Sequence, residues 1–132
     1  MINTPHRVRF LKGAFYGYLT NMQAKIHEAE KIAKVVAKLL KHFDNGNKGN
    51  ITYINTYKLS KYLASISHKE RILISTKMIR QIYETLECIT KKLGGWYTKG
   101  RYKRVYAIQH DVLSKMTEEE LITMIRGCVN HE

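Results

Sequence analysis

Two cysteines, six histidines and eleven carboxylates are the side chains of this 132-residue sequence with the reactivity for covalent, metal or acid–base chemistry. Their spacing argues against each. Cys88 and Cys128 belong to no Cys-x-x-Cys pair of the kind that holds zinc or shuttles electrons, and are expected as free thiols in a reducing compartment. His6, His27, His42, His68, His110 and His131 are scattered. Cys128 and His131 have a ligand-like separation, but two donors do not make a metal site. His110 and Asp111 are adjacent, and neighbours in a helix or strand point apart. Gly46 and Gly49 open no phosphate-binding loop, and neither a Gly-x-Ser-x-Gly nor a His-Glu-x-x-His segment occurs. No catalytic residue, metal or cofactor is expected, and the chain reads as a non-enzyme.

What remains is charge. Lysine and arginine number 23 against 11 acidic residues, for a net charge of +12. The balance is uneven along the chain. Residues 111–132 hold five acids against Lys115 and Arg126, a net −3, so residues 1–110 carry +15. Such a surplus repels itself unless a polyanion relieves it, and nucleic acid is the common polyanion. With 44% hydrophobic residues the chain is long enough for one well-buried core. It has no apolar run of membrane-spanning length, no signal-peptide pattern at its start, and one proline.

The elements that must position these cations follow from periodicity. Residues 1–19 interleave His6, Arg7, Arg9 and Lys12 with Phe10, Phe15, Tyr16 and Tyr18, while Gly13 and Gly17 weaken any helix. They read as a basic arm along a nucleic-acid backbone or as a segment packing its aromatics on the core. Residues 21–43 form an amphipathic helix with Asn21 as its cap. Its apolar positions Met22, Ile26, Ala29, Ala33, Val36, Leu40 and Phe43 alternate four and three residues apart. That seam serves either the chain's own core or a homodimer through residues 22–43. Turn residues 44–50 end it.

A short strand over 51–54 follows, then a helix from Asn55 or Thr56 to about Ser65, and an ambiguous stretch over 66–74. A second strong helix covers about 75–93, with Ile79, Ile82, Leu86, Ile89 and Leu93 as its stripe and Gly94-Gly95 as its stop. Two β-prone runs over 96–108 then flank Lys99-Gly100 and read as a hairpin carrying Lys99, Arg101, Lys103 and Arg104 with no acid. On it, Tyr97, Tyr102 and Tyr106 either stack on bases or pack across the strands. A last helix spans 111–127, with Thr117 and Glu120 as a capping box.

From Ile51 to Ile108 the order strand, helix, helix, basic hairpin resembles the winged helix-turn-helix family. The resemblance implies an α+β, mostly helical fold with a long N-terminal amphipathic helix and a C-terminal helix added. It divides the chain into a basic arm and helix over 1–50 and a DNA-binding unit over 51–132. It also implies that the helix over 75–93 enters the major groove of double-stranded DNA and that the hairpin contacts the backbone or minor groove. Ser75, Lys77, Arg80, Gln81 and Glu84 would then face the groove. Arg80 suits guanine and Gln81 suits adenine by hydrogen-bond pattern, while Lys99, Arg101, Lys103 and Arg104 suit phosphates. Arg7 and Arg9 of the arm would add backbone contacts.

The expectation is a cytoplasmic, sequence-reading transcriptional regulator, dimeric through the first helix. The competing expectation is a structural protein that coats DNA without reading it, chromatin-like or packed in a virion. A β-hairpin over 94–108 favours the first, and a helical hairpin or a loop there favours the second.

Overall fold

The computed structural model describes the backbone of residues 5–129 and the side chains of residues 23–129. The fold is α+β and mostly helical, with a small antiparallel sheet. The elements run α1 (Pro5–Asn45), β1 (Ile51–Asn55), α2 (Thr56–Glu70), α3 (Thr76–Lys92), β2 (Trp96–Lys99), β3 (Arg104–Gln109), α4 (His110–Lys115) and α5 (Glu118–Val129). The sheet order is β1-β3-β2, so the last strand lies between the first two. Tyr53 pairs with Ala107 on one side of β3, and Trp96 pairs with Ala107 on the other. No helix among the described residues is long and apolar enough to cross a membrane.

Helix α1 departs most from expectation. It starts at Pro5 rather than Asn21, so the backbone of residues 5–20 is helical and not an extended arm. Pro5 suits a first helical position, where its missing N–H costs nothing. Gly13 and Gly17 each weaken a helix by about 1 kcal/mol, too little to break a 41-residue one. The seam of α1 is used within the chain from Ile32 onward. Ile32, Ala33, Val35, Val36, Ala37, Leu39 and Leu40 are all buried, against α3, α4, α5 and β1. Only Lys34, Lys38 and His42 keep a solvated stripe there. Ile26, by contrast, is 65% exposed. A second copy using the whole 22–43 seam would compete with this core, and only the part before about residue 31 is open to one. The latter half of α1 also shares its core with residues 51–129, across the expected division at residue 50.

A buried polar fastening holds the end of α1. Asp44 is 1% exposed, and its carboxylate accepts from the Thr52 hydroxyl at 2.8 Å and pairs with His110 Nδ1 at 2.7 Å. The partner of His110 is thus Asp44, not its neighbour Asp111. The fastening joins α1, β1 and α4, and among the described residues no hydroxyl or thiol hydrogen-bonds the His110 ring as a nucleophile would.

Local chemistry explains the other boundaries. Asn55 caps α2 by accepting from Lys58 N–H at 2.8 Å. Helix α2 runs one turn past Ser65 and ends at Arg71, whose φ of 54° is left-handed. Residues 71–75 have no regular structure and settle the ambiguous stretch. Gly94, at φ +76°, supplies the left-handed step after α3 that a side chain would resist. A Cβ on Gly95 would strike the Ala107 carbonyl, so the return into β2 needs glycine there too. The C-terminal helix is two helices, because the chain is extended at Met116. Thr117 and Glu120 then form the expected box: Glu120 N–H donates to the Thr117 hydroxyl at 3.1 Å, and Thr117 N–H donates to the Glu120 carboxylate at 2.9 Å.

The cysteines are the second correction. Cys88 of α3 and Cys128 of α5 form a disulfide, with Cα atoms 5.8 Å apart. Free thiols were expected because no local motif pairs them. Packing pairs them, by setting α5 along α3.

Candidate nucleic-acid interface

Helix α3 is positioned by a one-sided apolar stripe. Met78, Ile82, Leu86 and Ile89 are buried in the core, which fixes the rotation of the helix. At about 100° per residue the opposite side presents Thr76, Lys77, Arg80, Glu84 and Lys91, all exposed. Ser75 caps the helix, its hydroxyl accepting from Met78 N–H at 3.2 Å. That oxygen is therefore already engaged at the helix start.

The hairpin meets this side of α3. Its loop, residues 100–103, is closed by Gly100 N–H donating to the Lys103 carbonyl at 2.8 Å. The Thr56 hydroxyl at the start of α2 accepts from Arg104 N–H at 2.9 Å, which anchors the root of β3. The Arg104 guanidinium lies over the Tyr83 ring, 4.5 Å from its centroid. Between α3 and the loop is a cleft of about 370 Å³, lined by Thr76, Arg80 and Tyr83 on one wall and Arg101, Tyr102 and Lys103 on the other. Four of the expected residues, Arg80, Arg101, Lys103 and Arg104, line this single cleft although they come from two elements.

The remaining expected residues sit elsewhere or are committed. Lys99 pairs with Glu87 at 3.5 Å, so one hairpin cation is partly neutralised by α3. Glu84 is exposed on the α3 front as expected. Lys77 stands at the edge of that front and also borders a different cleft.

Gln81 is a correction. It is one residue, and so about 100°, round the helix from Arg80, on the flank turned to α1. There it lines a cleft with Ile26, Ala29 and Val129, and its Oε1 is buried with no hydrogen-bond partner among the described residues. A side chain on that flank does not share a base-reading front with Arg80. The side chains of Arg7 and Arg9 lie outside the described residues. Of the hairpin tyrosines, Tyr106 is 1% exposed and lies 6.0 Å from the half-buried Tyr97, in cross-strand packing. Burial pushes the Tyr106 hydroxyl far above the ordinary tyrosine range, so it stays neutral. Tyr102 alone of the three is open, at 86% exposure.

Sequence reasoning passed over Thr76, Tyr83 and Thr56. The signal for the first two was present: steps of four and three residues from Arg80 place Thr76 and Tyr83 beside it. Thr56 carried no such signal, because its role depends on where β3 begins. Comparison with protein-family models, with curated proteins and with solved structures finds no match to this chain.

Proposed function

We propose that this chain is a winged-helix protein that binds double-stranded DNA, with α3 in the major groove and the 100–103 loop on the backbone as the wing. The carrying observation is the convergence of Arg80 from α3 with Arg101, Lys103 and Arg104 from the hairpin on one cleft. Two features support the family assignment. The element order α1-β1-α2-α3-β2-β3 and the strand order β1-β3-β2 suit a helix-turn-helix whose following hairpin forms the wing. A hairpin, not helices, also occupies 96–109, which favours a sequence-reading regulator over a helical coat.

In this reading the parts divide by chemistry. Arg80 reads a base edge through its two parallel donors, and Glu84 discriminates by accepting from a cytosine amine or repelling phosphate. Arg101 and Lys103 neutralise phosphates, which sets position and not sequence. Arg104, stacked on Tyr83, holds the wing root against α3. The work is binding, with no reaction step, and the site of action is wherever duplex DNA is held, in a cell or a particle.

The test is selection from a randomised duplex pool at moderately high salt, followed by Arg80→Ala and Lys103→Ala. Wild type enriches a motif. Arg80→Ala relaxes it at one position. Lys103→Ala weakens all duplexes alike and lowers the slope of log affinity against log salt by about 0.9. Retention without enrichment would assign the chain to DNA coating, and no retention at any salt would remove duplex DNA as its partner.

A further inference from the structure

Helix α2 has two flanks half a turn apart. Ser60, Ala64 and Ser67 face Ile79 and Tyr83 of α3. Lys58, Tyr62, Ser65 and Lys69 face the other way, across a groove of about 400 Å³ to His42 and Phe43 at the end of α1. The groove is therefore on the far side of α2 from the α3–hairpin cleft, and one ligand segment cannot fill both.

Its make-up is specific. The rings of His42, Phe43 and Tyr62 form a cluster, with His42 4.7 Å and Phe43 5.7 Å from Tyr62 between centroids. Lysines border these rings. Lys58 and Lys69 have no acidic partner within ion-pair distance among the described residues, and Lys61 stands 5.0 Å over the exposed Tyr57 ring. Two carboxylates lie near, Glu70 and Glu118. Glu70 is already held by Lys38 at 3.4 Å. Burial first, then these two acids, raise the Tyr62 hydroxyl above its ordinary value, so Tyr62 adds no negative charge to the groove. From Lys58 to Lys69 the helix rises about 16 Å, enough for a short run of nucleotides.

Aromatic faces between spaced cations are the chemistry of single-stranded nucleic acid. Bases stack on the rings whatever their identity, and the cations follow the phosphates. A duplex hides its base faces and would leave the rings unused. We propose that the α1–α2 groove is a second nucleic-acid site that takes a single-stranded segment, with Tyr62 and His42 as stacking faces and Lys58, Lys61 and Lys69 on its phosphates. The site goes beyond the duplex reading and stands independently of it.

The experiment is equilibrium binding of a labelled short oligothymidylate, and separately of a duplex, to wild type, Tyr62→Ala and the double variant Lys58→Glu/Lys69→Glu. Tyr62→Ala is expected to weaken oligothymidylate by roughly 5- to 150-fold, the span for loss of one base–aromatic stack. The double variant is expected to weaken it further and to flatten its salt dependence by about 0.7 per cation removed. Both leave duplex affinity within about twofold of wild type, since both sites lie on the flank away from α3. The double variant changes only exposed side chains, so it decides the matter even where Tyr62→Ala fails to fold.

Wild type that does not bind oligothymidylate overturns the proposal. So does oligothymidylate binding that both variants leave intact, or that Arg101→Ala/Lys103→Ala abolishes instead. Oligothymidylate binding with this variant pattern but no duplex binding would uphold this site and remove the winged-helix reading.

Discussion

The two sides of α3 next to its buried stripe are built on opposite terms. On the front, Arg80 is exposed across a cleft from the hairpin loop, which adds Arg101 and Lys103, while Lys77 borders another cleft and Lys91 lies over the Tyr97 ring. Among the described residues one cation on this side, Lys99, meets an acid, Glu87. On the flank turned to α5, contacts are closed. Cys88 is bonded to Cys128, and further along α5 Arg126 makes two hydrogen bonds to Glu30 of α1, at 2.6 and 3.0 Å. One helix thus spends one side on being held and keeps the other unsatisfied. What separates the two sides is charge left over after folding: among the described residues Lys77, Arg80, Arg101 and Lys103 have no acid within ion-pair distance, whereas Arg126 and Glu30 satisfy each other.

Separating the margins by mutation sharpens this contrast. The largest effect is expected from Cys88→Ser/Cys128→Ser. A crosslink between residues 40 apart removes denatured-state entropy worth about 4 kcal/mol. Denaturant unfolding with and without reductant should show that loss in wild type and none in the variant, while duplex affinity at a temperature where both are folded changes little. An equal fall in affinity would mean that the two margins are not independent.

Next comes Arg80→Ala, expected to cost about 1–3 kcal/mol in binding to the preferred duplex and less than about 0.5 kcal/mol in stability, read by titration and by thermal melting. Thr117→Ala reverses that pattern. Loss of the cap should cost about 1 kcal/mol of stability with binding unchanged.

Two surface carboxylates add a pH dependence. Arg126 holds the Glu30 carboxyl below its ordinary range, and the hydrogen bonds from Thr117 do the same for Glu120. A depressed carboxylate stabilises the fold above its unfolded value and loses that contribution as pH falls through its folded one. The contribution of these two carboxylates is therefore expected to be full above about 5 and to be lost as pH falls below about 4, with the smaller loss in Thr117→Ala, read by denaturant unfolding across pH. The smallest effect is expected from Glu87→Gln, which frees Lys99. A pair with only its lysine well exposed contributes about 1 kcal/mol, so duplex binding should strengthen severalfold at low salt and return to wild type at high salt.

How much of this was legible in the sequence depends on how far each feature reaches. Stripes and most caps are local and were readable: Ser75 or Thr76 before α3, of which Ser75 is the cap, the Thr117–Glu120 box, and the apolar steps Ile82, Leu86 and Ile89, while Asn21 proved to lie inside α1. The hairpin followed from β-prone runs around Lys99-Gly100, though its loop is longer, with β3 beginning at Arg104. The end of α2 was hidden because Arg71, and not a glycine or asparagine, takes the left-handed position. The start of α1 was hidden because two glycines read as breaks in a helix long enough to absorb them. The disulfide and the Asp44–His110 pair join residues distant in the chain, and no window of sequence contains both partners. In the candidate site the cations were visible as a group. Their convergence, and the turning of Gln81 away from them, depended on the rotation that the core imposes on α3.

The Cys88–Cys128 bond also closes a covalent ring. Inside that ring lie the hairpin, α4 and nearly all of α5, so the exposed loop at Arg101 and Lys103 is a segment of a circle and not of an open thread. A protease that cuts there opens the circle without releasing a piece. The nicked chain migrates as one molecule until a reductant parts it, and its two halves stay at each other's side with an effective concentration that free fragments would lack. The exposed loop of the cationic surface is thereby one whose cleavage leaves the molecule in one piece.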